Sequence, residues 1–120
     1  MSSGLGSITT SRLGMIDPEK NPVGNRWIAY NASKAAFNMQ SSVFANKLKQ
    51  ELEKDKFCVV SLEPGWVDTD MGEGNARKMG MEKAPIDAHH AISTMLKTVK
   101  QLSIKDSGEF LTIDGNKMDY

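Results

Sequence analysis

One cysteine stands in 120 residues, so no intramolecular disulfide can form. Cys58 sits inside an apolar run and reads as a buried thiol in a reducing compartment. Net charge is also missing: fifteen acidic and fifteen basic side chains cancel, leaving no global field to draw the chain to nucleic acid or to an anionic membrane. No apolar run approaches the roughly eighteen residues of a membrane span, and residues 1–10 lack the basic stretch and apolar core of a secretory leader. These absences imply a cytoplasmic chain whose partners are chosen by local chemistry, with neither nucleic acid nor membrane among them. Metal ligands are equally sparse: His89 and His90, on a predicted helix, have no ligand partners at useful spacing, which points to a solvent-facing pair and no metal site. Gly4 and Gly6 do not make a dinucleotide fingerprint, because no strand precedes them and no third glycine stands at the required place; Gly72 and Gly74 fail in the same way.

What is present is ordinary globular composition, 39% hydrophobic and 25% charged, in a length suited to one domain at most. The eight methionines are scattered, as filler in a core would be. Residues 4–25, carrying Gly14, Pro18, Pro22 and Gly24, form no periodic pattern and are expected to be a long loop. A structureless loop of that length at the start of a compact domain suggests a functional segment or a chain that begins in mid-fold. Across residues 28–54, Ala32, Ala36, Met39, Val43, Phe44, Leu48 and Leu52 recur at helical steps opposite Lys47, Lys49, Gln50, Glu51 and Glu53, which predicts a long amphipathic helix.

Residues 57–62 are nearly all apolar and end at Pro64-Gly65, the pattern of a strand buried on both faces in a parallel sheet. A polar, glycine-bearing loop is expected over 66–84, leaving the carboxyl end of that strand, where open α/β sheets bind ligands. Pro85 opens a second predicted helix with Ala88, Ala91, Ile92, Met95, Leu96, Val99 and Leu102 as its stripe. A final short strand over 108–113 stops at Asp114-Gly115. Two strands joined by a crossover helix make too small a parallel sheet, with an unpaired edge, so the chain reads as part of a larger doubly wound domain.

Tyr30 and Lys34 open the long helix one turn apart on the same face. An ammonium held near a phenol favours the phenolate, which is what proton transfer near neutral pH needs. By itself the spacing is equally that of a solvated surface pair.

The companions of that pair are Ser2-Ser3-Gly4 near the start, Pro64-Gly65-Trp66-Val67-Asp68-Thr69 after the first strand, and a last strand running into Asp114-Gly115. Together with Tyr30-Asn31-Ala32-Ser33-Lys34, they resemble the short-chain dehydrogenase/reductases, in order and over residues 2–115. Within that family the chain is most similar to the carbonyl-reductase-like members, whose serine and tyrosine are separated by an insertion. The shorter spacing of other members lands near Asp17, so Ser3 is the better match, with Ser2 and Ser7 as alternatives.

The resemblance implies an α/β fold, the C-terminal portion of a Rossmann-like doubly wound parallel sheet. It implies NAD(P)-dependent hydride transfer to or from a small carbonyl or alcohol, with Tyr30 as general acid or base, Lys34 assisting it and contacting the nicotinamide ribose, and Ser3 orienting the substrate carbonyl. Pro64, Gly65, Val67 and Thr69 would wrap the nicotinamide end of NADP or NAD, the preference between the two being left open; Trp66 and Met71 are candidates for the substrate pocket or for plain packing. The family's first strand, glycine-rich turn and following helix, its Asn-Asn-Ala-Gly segment and its catalytic asparagine have no counterpart in these 120 residues. The chain is therefore expected to bind dinucleotide weakly or not at all without the missing N-terminal half, and its expected partners, besides the substrate, are that complementing half or further copies of itself. The alternative reading is a truncated, non-catalytic interaction protein or an inert fragment of such an enzyme.

Overall fold

The computed structural model describes residues 1–10, 27–52 and 56–120. The expected loop at 4–25 falls outside them from residue 11 on, as does Lys54 at the end of the expected helix. Residues 4–10 fold into a 3-10 turn, Gly4–Gly6, and one helical turn, α1 (Ile8–Thr10). Gly6 must be glycine for packing reasons: a Cβ there would lie 2.7 Å from the Lys34 carbonyl carbon.

That contact seats α2 (Ile28–Glu51), the predicted long helix. Its alanines, lysines and glutamines favour a helix, Lys49 in the last turn suits the helix dipole, and Lys47 pairs with Glu51 at 3.8 Å. The predicted buried stripe is wrong. Asn38 and Ala45 are buried, while Met39 (65% exposed), Val43 and Phe44 face solvent. Where two backbones approach as closely as Gly6 and Lys34 do, only small side chains fit the seam, so the bulky apolar residues lie on the other side.

The sheet has three strands in the order β1 (Ser61–Glu63), β2 (Phe110–Thr112), β3 (Lys117–Met118). β1 and β2 are parallel, Ser61 opposite Phe110, and β2 and β3 antiparallel. The expected parallel pair is thus a small mixed sheet within an α/β fold. The sequence pattern did not reveal β3, which follows a turn closed by Gly115 at φ 82 with its amide on the Thr112 carbonyl. The first strand is shorter than expected and displaced toward Pro64: residues 57–60 are unpaired as a strand, Phe57 and Cys58 are exposed, and the ladder begins only where Phe110 can pair. Cys58 is therefore not the buried thiol expected. Local desolvation, and then Asp106, still push its thiol up from the ordinary value, which disfavours the reactive thiolate. On the other side of β1 the Ser2 amide donates to the Leu62 carbonyl at 2.7 Å, so the amino-terminal segment lies alongside the strand.

The segment 66–84 is not simply a loop, because α3 (Asp70–Lys78) occupies its middle. Thr69 caps it, its hydroxyl accepting from the Gly72 amide at 3.2 Å; Asp70 and Glu73 sit in the first turn, Arg77 and Lys78 in the last, and Arg77 pairs with Glu73 at 3.0 Å. These are regular helix signals, masked in the sequence by two glycines. Gly72 is inside the helix because a Cβ there would come 1.9 Å from the Val67 carbonyl oxygen. The base of the excursion is closed by a parallel bridge between Val67 and Ile86.

α4 (Ala88–Gln101) starts after its cap Asp87, whose carboxylate accepts from the His90 amide at 3.0 Å, so Pro85 lies outside the first turn. It buries Ala91 and Thr98, the latter donating to the Ile113 carbonyl, and leaves Ile92, Leu96 and Val99 exposed. His89 and His90 face solvent as expected. Phe110 is the largest wholly buried side chain among the described residues. No helix among the described residues is long and apolar enough to cross a membrane.

Candidate active site

Tyr30 lies in the first turn of α2 and Lys34 one turn later, both half-buried. The Lys34 ammonium stands 5.5 Å from the centre of the Tyr30 ring, and Trp27 meets the same ring edge-on, at 5.6 Å between centroids and 83° between planes. A cation over a phenol face at that distance contributes about 0.5–1 kcal/mol. Lys34 also donates to the Met1 carbonyl at 3.3 Å, which draws the amino-terminal segment to the helix.

The three serine alternatives differ in their surroundings. Ser7 donates to the Asp119 carbonyl at 2.7 Å and accepts from the Thr10 amide, so its hydroxyl ties the start of the chain to the end. Ser2 is buried against β1. Ser3, with extended backbone, caps the 3-10 turn by accepting from the Leu5 amide at 3.3 Å, which leaves its proton for another acceptor.

The Pro64-Gly65 turn follows β1. Gly65 has φ 75, a conformation that favours glycine, while a Cβ there would press only on the Ile86 Cδ1, the movable end of a side chain. Further along, the Thr69 hydroxyl is engaged as the α3 cap and Val67 by its bridge to Ile86. These two are held by the fold of the 66–84 segment itself.

Sequence reasoning missed Glu63. One of its carboxylate oxygens accepts from the Gly4 amide and the other from the Gly65 amide, the latter at 3.1 Å. It is half-buried. Burial pushes its carboxyl up from the ordinary value, against the lowering effect of those two amides and of the Lys34 charge. The available signal was a carboxylate at the end of an apolar run, directly ahead of Pro-Gly. Glu63 connects the Ser3 segment, the Pro64-Gly65 turn and, by its field, Lys34.

A cavity of about 360 Å³ opens next to this corner, lined by Leu5, Gly6, Ser7, Ile8, Asn31, Ala32 and Ala35. Neither Tyr30 nor Lys34 lines it. The Asn31 side-chain oxygen is buried without a hydrogen-bond partner among the described residues.

No protein-family model matches the chain. An uncharacterized oxidoreductase of Schizosaccharomyces pombe is 35% identical over 105 residues, covering 80% of this chain and 40% of that protein. A short-chain dehydrogenase of Neurospora crassa is 29% identical over 118 residues, covering 95% of this chain and 42% of that protein. Among solved structures, the NADPH-bound carbonyl reductase from chicken fatty liver superposes with a TM-score of 0.71 at 30% identity, over 99% of this chain and 40% of that one. The chain thus spans about 40% of the length of each of these three proteins.

Proposed function

The chain is a homologue of the short-chain dehydrogenase/reductase oxidoreductases, carbonyl reductases among them, and from that premise we propose that it carries the proton-transfer part of a carbonyl-reducing site. In this reading the fold is the C-terminal portion of a Rossmann-like doubly wound sheet. Tyr30 gives its proton to the carbonyl oxygen of a small substrate, and in the reverse direction takes it back from the alcohol. Lys34, one helical turn away, holds its ammonium 5.5 Å from the ring centre, and Tyr30 is reprotonated from solvent. Ser3 holds the substrate oxygen through its hydroxyl proton.

The observation that carries this reading is the joining of three separate segments at one corner: the Lys34 ammonium reaches the Met1 carbonyl, and Glu63 takes amides from both Gly4 and Gly65. In this reading the nicotinamide and ribose end of NADP or NAD would lie at the same corner, at the strand end where α/β sheets take ligands, with the Lys34 ammonium as its donor. A nicotinamide dinucleotide bound there would supply the hydride for the carbonyl carbon. Gly4 and Gly6, packed on Glu63 and Lys34, are not a phosphate cradle, so tight dinucleotide binding is not expected from these 120 residues by themselves.

A second reading, a non-catalytic interaction protein, is favoured by the exposed apolar faces of α2 and α4. One hybrid separates the two: residues 1–120 replace the matching segment of an intact carbonyl reductase, and NADPH oxidation at 340 nm is followed with a small aldehyde. The proposal predicts carbonyl-dependent turnover from the hybrid and no saturable NADPH binding by the 120 residues alone. A folded hybrid that binds NADPH without turnover favours the interaction protein.

A further inference from the structure

Glu63 has few degrees of freedom. Its backbone is fixed in the sheet, opposite Thr112, with its carbonyl accepting from the Ile113 amide at 3.1 Å. Its side chain runs from the end of β1 into the site corner, where both carboxylate oxygens are used, one by the Gly4 amide and one by the Gly65 amide. The first of those amides follows Ser3 directly, and the second belongs to the turn that closes the carboxyl end of the strand. We propose that Glu63 is a positioning residue, whose single carboxylate fastens the Ser3 segment and the Pro64-Gly65 turn to each other beside Lys34.

An ionised carboxylate is required for this. It has acceptor sites on both oxygens and no proton of its own, and amide bonds to a charged acceptor are stronger than neutral ones. A protonated carboxyl or a primary amide offers one good acceptor and turns a donor toward the second amide, so either change releases one of the two segments. The charged group facing Glu63 is Lys34 of α2; the neighbours from the amino-terminal segment, the turn and the sheet, Gly4, Gly65 and Thr112, do not titrate. Burial opposes the charge more than the amides and Lys34 support it. The chain therefore keeps a carboxylate where a neutral group would be easier to bury, as expected of a group retained for the geometry it imposes.

The fastening stands on the geometry alone; its bearing on catalysis rests on the function proposed above. Amide NMR of the full chain reads the fastening without turnover. The Gly4 and Gly65 amide protons, downfield at neutral pH, are expected to move upfield together on acidification, with one midpoint shared with the Glu63 side-chain carbon and above the ordinary glutamate value. In Glu63→Gln neither resonance should titrate, and at least one should already lie upfield. Separate midpoints, no titration in the wild type, or unchanged amide positions in Glu63→Gln would overturn the proposal. In the hybrid enzyme, Glu63→Gln should remove an acidic limb of the pH–rate profile found at the same midpoint, while Glu63→Asp keeps it. An unaltered limb in Glu63→Gln would show that the fastening does not position the reacting groups.

Discussion

The corner at the end of β1 and the outer faces of α2 and α4 are built on opposite principles. In the corner, backbone meets backbone at distances that only glycine allows, at Gly6 against Lys34 and at Gly72 against Val67, and the Glu63 carboxylate is matched to the Gly4 and Gly65 amides. On the outer faces Met39, Val43, Phe44, Ile92, Leu96 and Val99 project into solvent with no such matching. α2 carries both surfaces. Small residues decide which side docks, and bulky apolar residues occupy whatever is left, so apolar periodicity correctly finds the helices and misassigns their faces.

Substitutions on the two sides should therefore differ in kind. The largest effect belongs to the buried sheet: Phe110→Ala removes the largest wholly buried side chain and should cost about 3–5 kcal/mol in urea unfolding. At the seam, Gly6→Val drives a side chain into the Lys34 backbone, an overpacking cost of about 1–3 kcal/mol, and should also shift the amide resonances of the amino-terminal segment. On the outer face, Phe44→Ser should change unfolding by less than about 0.5 kcal/mol while reducing concentration-dependent association in sedimentation velocity. A large loss from Phe44→Ser, or none from Gly6→Val, would break the contrast between the two regions.

The smallest effect is the pH dependence of the corner. The folded-state value of Glu63 lies above its unfolded value, so the folded chain holds the proton more tightly in the window between them. Stability from this group is present below the unfolded value and is lost as pH rises through the folded one. Unfolding experiments across that window should show wild-type stability falling with pH relative to Glu63→Gln, and a rise would mean that the amides and Lys34 outweigh burial. Asp106 behaves oppositely: its carboxyl is held down, chiefly by the Ser103 amide and hydroxyl, so its contribution is present above the ordinary aspartate value and is lost as pH falls.

The sequence made some of this legible and hid the rest for identifiable reasons. Tyr30 and Lys34 are local to one helix, so their spacing alone brought them together. The second helix was visible in its stripe, though Asp87 rather than Pro85 starts it. β1 was displaced because apolar residues 57–60 resemble a strand, whereas pairing depends on where Phe110 lies, more than forty residues away by number. α3 was obscured by Gly72 and Gly74, which count against a helix locally although Gly72 is required by a tertiary contact. Glu63 needed the fold itself: its two amide partners come from opposite ends of the site, and only their convergence gives the carboxylate a role.

The central claim is that Tyr30 acts as the acid at a corner assembled by the Ser3 segment, α2 and the turn after β1. Within the hybrid reductase, the most direct measurement is the single-turnover rate of NADPH oxidation for Tyr30→Phe, a change that keeps the ring between Trp27 and Lys34 and removes the proton. The rate should fall about 10²–10⁴-fold, the range of general acid catalysis, with NADPH affinity unchanged. A variant that reduces the aldehyde within a few-fold of the parent rate would contradict the assignment.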